Sequence, residues 1–181
     1  MGLIDRATLS FMNSFVALLR AVNVGGTGKL AMSDLKALCE ATGAKSVRTY
    51  IASGNLIFKS NQSKSQVKAA LEARLDAFTG KPVVVIVRTA TEMAKVAAEN
   101  PFPSAPGNRI LAIFLDELVP SNTLKTVTGQ AAHEEIRLSK REIYVRYGEG
   151  MGQSKLRIPA AKEGTGRNMN TVAKLASMAA E

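Results

Sequence analysis

With one cysteine and one histidine in 181 residues, the chain has little material for thiol, imidazole or metal chemistry. Cys39 cannot form an internal disulfide, which favours a reducing compartment. His133 stands in His133-Glu134-Glu135 with no second histidine to complete a metal-ligand set. The acids are scattered, and no carboxylate pair suited to glycoside chemistry emerges. Aromatic residues make up only 5%, so a stacking platform for single-stranded nucleic acid has few candidates. No run of ~18 apolar residues spans a bilayer. The opening Met1-Gly2-Leu3-Ile4-Asp5-Arg6 has an early acid and no apolar core of the signal-peptide kind. The expectation is a cytoplasmic protein with no metal, no cofactor and no membrane partner.

What is present is positive charge. Lysine and arginine number 24 against 15 acids, a formal net charge of +9. Such a balance attracts polyanions, either nucleic acid or phosphorylated small molecules. The excess sits at the two ends of the chain and hardly in its middle third, and there is no dense basic block or tail. Hydrophobic residues at 46% and charged residues at 22% are ordinary for a globular chain, long enough to bury a core without disulfides.

The periodicity predicts an α+β protein. Residues 1–11 read as an irregular leader or extension, with Met12 as a candidate second start. Phe15-Val16-Ala17-Leu18-Leu19 is a nearly continuous apolar run that suits a central strand covered on both faces. A helix capped at Ser33 follows, with Leu35, Leu38 and Cys39 at helical spacing and Gly43 as its stop. Strands at Val47–Ile51 and Leu56–Phe58 are joined at Ala52-Ser53-Gly54-Asn55. A second helix opens at Ser65, turns Val67, Leu71, Leu75 and Phe78 to one side, and closes at Gly80. Pro82–Val87 is the fourth strand. Strand, helix, strand, strand, helix, strand is the order of a split β-α-β, or ferredoxin-like, unit.

Asn100–Asn108 holds half of the six prolines and follows a helix at about Thr91–Glu99, so the division is placed there. The first ferredoxin-like unit is then 12–100 and the second α+β unit 101–181. In the second, a strand at Ile110–Leu115, a helix near Ser121–Thr128 and a hairpin of Glu135–Leu138 with Glu142–Tyr147 are expected. A short helix around Ser154–Ile158 and a terminal helix from about Asn168 complete it. That is β-α-β-β-α without an obvious final strand. The two units are expected to have largely antiparallel sheets with helices packed on them.

Three polar, glycine-containing loops carry the candidate chemistry. The first is Val24-Gly25-Gly26-Thr27-Gly28-Lys29, between a strand and a helix, where backbone amides and a helix N-terminus can meet an anion. It lacks the spacing of a P-loop and of the dinucleotide fingerprint; the alternative is a glycine-permitted turn. Arg20 and Asn23 precede it and can aim a bidentate donor and an amide at one point. The second is Ser53-Gly54-Asn55, which either hydrogen-bonds its own turn or shares a mouth with Arg20. The third is Gly164–Thr171, where Arg167 and Asn168 beside the orphan amides of the last helix can seat an anion, or simply cap the helix.

Four stretches also resemble a known family. Leu18-Leu19-Arg20-Ala21-Val22-Asn23-Val24-Gly25-Gly26 is similar to an LLRGINVGG opening, and Tyr50-Ile51-Ala52-Ser53-Gly54-Asn55-Leu56-Ile57-Phe58 to a YIQSGNVVF hairpin. Ser154-Lys155-Leu156 and Arg167–Leu175 fit later parts of the pattern. These mark a widespread bacterial family of uncharacterised proteins, a domain of unknown function. The resemblance implies a two-part ferredoxin-like α+β fold and no established activity. It selects Arg20, Asn23, Gly25, Gly26, Lys29, Ser53, Gly54, Asn55, Lys155, Arg167 and Asn168. The chain departs from it with Ala21 for glycine, Ala52 for glutamine and Met169 for an aromatic. The leading expectation is a protein that binds a phosphate-bearing ligand through these residues. The alternatives are a metal-independent acyl- or phosphoryl-transfer enzyme, and a structural or interaction module in which the motifs only fix turns.

Overall fold

Alternating burial along Asn13–Leu19 is replaced by burial of every side chain from Phe15 to Leu19, as a strand covered on both faces requires. This is β1, the second-from-edge strand of the first of two sheets in a computed structural model that describes residues 11–21 and 30–181. The described residues form two units. The first runs to Met93 and takes back Leu175–Glu181; the second is Ala94–Lys174. Sequence reading placed the division at 100/101, in the proline-rich segment.

In the first unit β1 is followed by α1 (Met32–Glu40), β2 (Lys45–Thr49), β3 (Asn55–Ser60), α2 (Lys64–Thr79), β4 (Val85–Thr89) and α3 (Ala90–Ala98), whose last turns belong to the second unit. The sheet order is β2-β3-β1-β4 with every neighbour antiparallel. Both β-α-β connections therefore skip a strand, which is the split arrangement. Phe15, Ala17 and Leu19 from β1 share one core with Leu35 and Cys39 of α1 and with Val67, Leu71 and Leu75 of α2. The i, i+4 spacing of the α2 trio stacks the three on one stripe, and removing a buried leucine there would cost about 2–5 kcal/mol.

The helix starts differ from expectation. α2 begins at Lys64, one residue earlier than Ser65, because Ser63 and Gln66 form a reciprocal capping box, Gln66 N donating to Ser63 Oγ at 3.2 Å and Ser63 N to Gln66 Oε1 at 2.9 Å. It ends at Gly80, whose φ of 74° is in the left-handed region. α1 begins after Ala31, without a side-chain cap, rather than at Ser33. Phe78, expected on the buried stripe, is 54% exposed.

The second unit has β5 (Ile110–Phe114), β6 (Glu134–Leu138), β7 (Glu142–Tyr147), β8 (Thr165–Asn168) and the start of α4 (Met169–Ala179), whose residues from Leu175 belong to the first unit. Its sheet order is β6-β7-β5-β8, again wholly antiparallel, so the strand order of the first sheet is repeated. Ile113, Leu115, Ile136, Ile143 and Val145 make its core. Two expectations fail here. The helices foreseen at Ser121–Thr128 and Ser154–Ile158 do not form; single 3-10 turns stand at Thr123–Thr126 and Pro159–Glu163. Thr128 and Arg157 instead pair with each other as an isolated antiparallel bridge. The final strand, thought absent, is β8. Thr-Gly-Arg-Asn carries no apolar alternation, and only the ladder from Phe114–Thr165 to Leu111–Asn168 makes it a strand. Among the described residues no helix is long and apolar enough to cross a membrane.

Candidate functional site

The carboxyl end of β1 is held from both sides. Leu18 pairs with Asn55 in register, Leu19 N donates to Gly54 O at 2.9 Å, and Arg20 N donates to Val84 O at 3.0 Å. Arg20 thus leaves the sheet beside the turn that carries Ser53. The turn is organised by Asn55, which is fully buried: its Nδ2 donates to Tyr50 O and to Ser53 Oγ, each at 2.9 Å, while its carbonyl accepts from Tyr50 N at 3.2 Å. Ser53 and Arg20 are half-buried.

Two side-chain-bearing residues at this end have left-handed backbones, Ala21 with φ 53° and Ile51 with φ 49°. A β-branched residue there is a genuine outlier, and each such residue costs about 1–2 kcal/mol relative to the right-handed region. A glycine at position 21 would adopt this φ without the steric penalty that Ala21 carries. Asn23, Gly25, Gly26 and Lys29 lie outside the described residues.

The other candidates belong to the second unit. Arg167 is buried in β8, its Nη1 donating to Thr165 Oγ1 at 2.7 Å and to Gly166 O at 2.9 Å. Burial pulls its pKa down to about 10, which leaves it charged at neutral pH. Asn168 is the N-cap of α4, its Oδ1 accepting from Thr171 N at 2.9 Å. Ser154 donates to Glu134 Oε1 and accepts from Leu156 N at 3.1 Å, tying its loop to a buried carboxylate. Burial raises the Glu134 pKa, but the Ser154 and Ala131 hydrogen bonds and nearby His133 outweigh it and hold it below the ordinary value. Lys155 is exposed beside a cavity of about 440 Å³ and has no ion-pair partner among the described residues.

Cys39 is fully buried, and desolvation with the adjacent Glu40 pushes its thiol up to about 12, so it is a core residue and no nucleophile. Among the described residues no group of three His, Cys, Asp or Glu is arranged to hold a metal ion. Two features escaped sequence reading. Arg88 is a charge buried in β4, 2% exposed. The proline-rich segment, read only as a boundary, lines a cavity of about 500 Å³; Phe102 among its prolines was the available signal.

These elements define a class: an α+β protein of two four-stranded antiparallel sheets, each in the split β-α-β strand order. Residues 12–144 match the family described as Protein of unknown function (DUF1697), and the chain belongs to that family. The matched range spans Leu18–Gly26 and Tyr50–Phe58, while Ser154–Leu156 and Arg167–Leu175 lie beyond it. A solved structure of a conserved bacterial protein from Streptococcus pneumoniae superposes with a TM-score of 0.76 at 23% identity, over 93% of this chain and 99% of that one. That likeness is one of fold. No match was found among curated proteins.

Proposed function

We propose that the protein binds a phosphate-bearing ligand, nucleic acid or a nucleotide, at the carboxyl end of β1. The observation that carries this reading is the clasp of β1 against the Ser53 turn, through the Leu18–Asn55 pair and the Leu19–Gly54 hydrogen bond. It puts the backbone of Arg20 and the Ser53 turn, from chain-distant motifs, at one sheet end. Asn55 sets the turn, and Asn23, Gly25, Gly26 and Lys29 follow Arg20 directly in sequence. The net charge of +9 draws a polyanion towards the molecule, with exposed Lys155 contributing.

The test is fluorescence anisotropy with a labelled oligonucleotide between about 50 and 200 mM salt, where counterion release makes phosphate binding fall steeply. Arg20→Ala should weaken binding and lower the slope of log affinity against log salt by about 1. A parallel thermal-shift series with nucleotides covers the small-ligand form. Salt-insensitive binding, or no binding to DNA, RNA or any nucleotide, ends the reading.

A further inference from the structure

The second unit contains a cavity of about 500 Å³ between the proline-rich segment and the ends of β6 and β7. This is within the size range of small-molecule sites. One wall is Pro101–Pro106, in which three prolines fix φ and donate no hydrogen bonds. The wall is pinned: Phe102 N donates to Asn100 Oδ1 at 3.0 Å and Ala105 N to Phe102 O at 3.1 Å. The opposite wall is ionic. Glu135 pairs with both Arg146 and Arg137, and the two guanidiniums lie 5.8 and 5.7 Å from the Phe102 ring centroid. Arg109 donates to Gly148 O and joins the two walls.

Two features specify an occupant. The lining has two arginines against one glutamate, which leaves a positive charge to be met. The remaining lining includes three prolines, whose rings are rigid before any ligand arrives, which limits the ordering cost of binding.

We infer that this cavity is a binding site for a small aromatic anion, its ring against the prolines and its carboxylate or phosphate at Arg109 and Arg146. A planar anionic head suits the forked donors of arginine. The site lies wholly in the second unit and does not depend on the phosphate site proposed at β1.

The experiment is a titration of the ¹⁵N-labelled full chain with benzoate, phenyl phosphate and adenosine 5′-monophosphate, each to about 10 mM, which saturates a site of Kd near 1 mM. Inorganic phosphate and adenosine alone test each half of the ligand. Expected are saturable shifts of the Tyr147 and Gly148 amides with at least one aromatic anion, and weaker ones with either half. Benzoate against phenyl phosphate tells which head is taken. Arg109→Ala, which alters an exposed side chain, should weaken binding about tenfold or more, and Ser104→Trp, which fills the mouth, should abolish it. The inference is overturned if no aromatic anion saturates, or if both variants bind like the wild type. It is equally overturned if Arg20→Ala abolishes the binding while Arg109→Ala spares it, for the ligand would then sit at β1.

Discussion

Replacing Asn55 by aspartate keeps the shape of the side chain and turns one donor end into an acceptor. In the native turn Asn55 Nδ2 makes two hydrogen bonds of 2.9 Å, to Tyr50 O and Ser53 Oγ, from a fully buried position. Each is worth about 1 kcal/mol net, and a buried acceptor left unmet costs a further 1–3 kcal/mol. Ser53 Oγ can rotate its own proton, so Tyr50 O is the group at risk. Asn55→Ala should therefore cost about 3–5 kcal/mol. Asn55→Asp should cost at least as much, because it brings carboxylate oxygens up to acceptors in a buried place. The two substitutions differ in pH dependence. A protonated aspartic acid regains one donor, so the folded state raises its pKa above the unfolded value of about 3.9. The extra loss is then present well above that value and shrinks as pH falls towards it. Urea unfolding followed by far-UV circular dichroism at pH 7 and pH 4, with the wild type at each pH as reference, reads both effects. An Asn55→Asp protein within about 0.5 kcal/mol of the wild type at pH 7 would refute the donor role assigned to Nδ2.

Two further outcomes follow from the same physical rules. Ala21→Gly should stabilise the protein by about 0.5–1 kcal/mol, since relief of a left-handed alanine exceeds the added entropy of the unfolded chain; a lower urea midpoint would show that φ 53° at this position is not costly. Glu92 sits in a reciprocal cap with Thr89, its Oε2 accepting from Thr89 N at 2.8 Å, and its Oε1 accepts from Lys64 at 2.7 Å. Burial raises its pKa, but these bonds and the charges of Lys64 and Arg88 prevail, so the folded value lies below the ordinary 4.5. A depressed carboxyl pKa stabilises the fold above 4.5 and loses that contribution as pH falls through the folded value. Glu92→Gln should flatten the acid limb of the stability profile, and an unchanged limb would contradict the assignment.

Much of the first unit was legible because its signals are local. The apolar run Phe15–Leu19 and the i, i+4 trio Val67, Leu71 and Leu75 each specify an element and its buried side, and both are found as expected. Arg20, Ser53 and Asn55 could be singled out as residues, since glycine and short polar side chains at strand ends stand out. The role of Asn55 could not, because it depends on a turn closed between Tyr50 and Asn55. In the second unit the expected helices were wrong where turn-forming residues were read without a sustained apolar stripe. Ser154 looked like a helix residue, but its partner is Glu134, 20 positions away.

Local side-chain chemistry by itself determined the α+β class, the order of the first six elements, the burial of Cys39 and the positive charge. Pairing and enclosure belonged to the tertiary structure. Thr165–Asn168 becomes a strand only because β5 offers an unpaired edge, and Pro101–Pro106 becomes the wall of a cavity only because β6 and β7 bring Glu135, Arg146 and Tyr147 opposite it. Hydrogen-bond ladders and enclosed space join groups far apart in the chain, and no window of neighbouring residues encodes such a meeting.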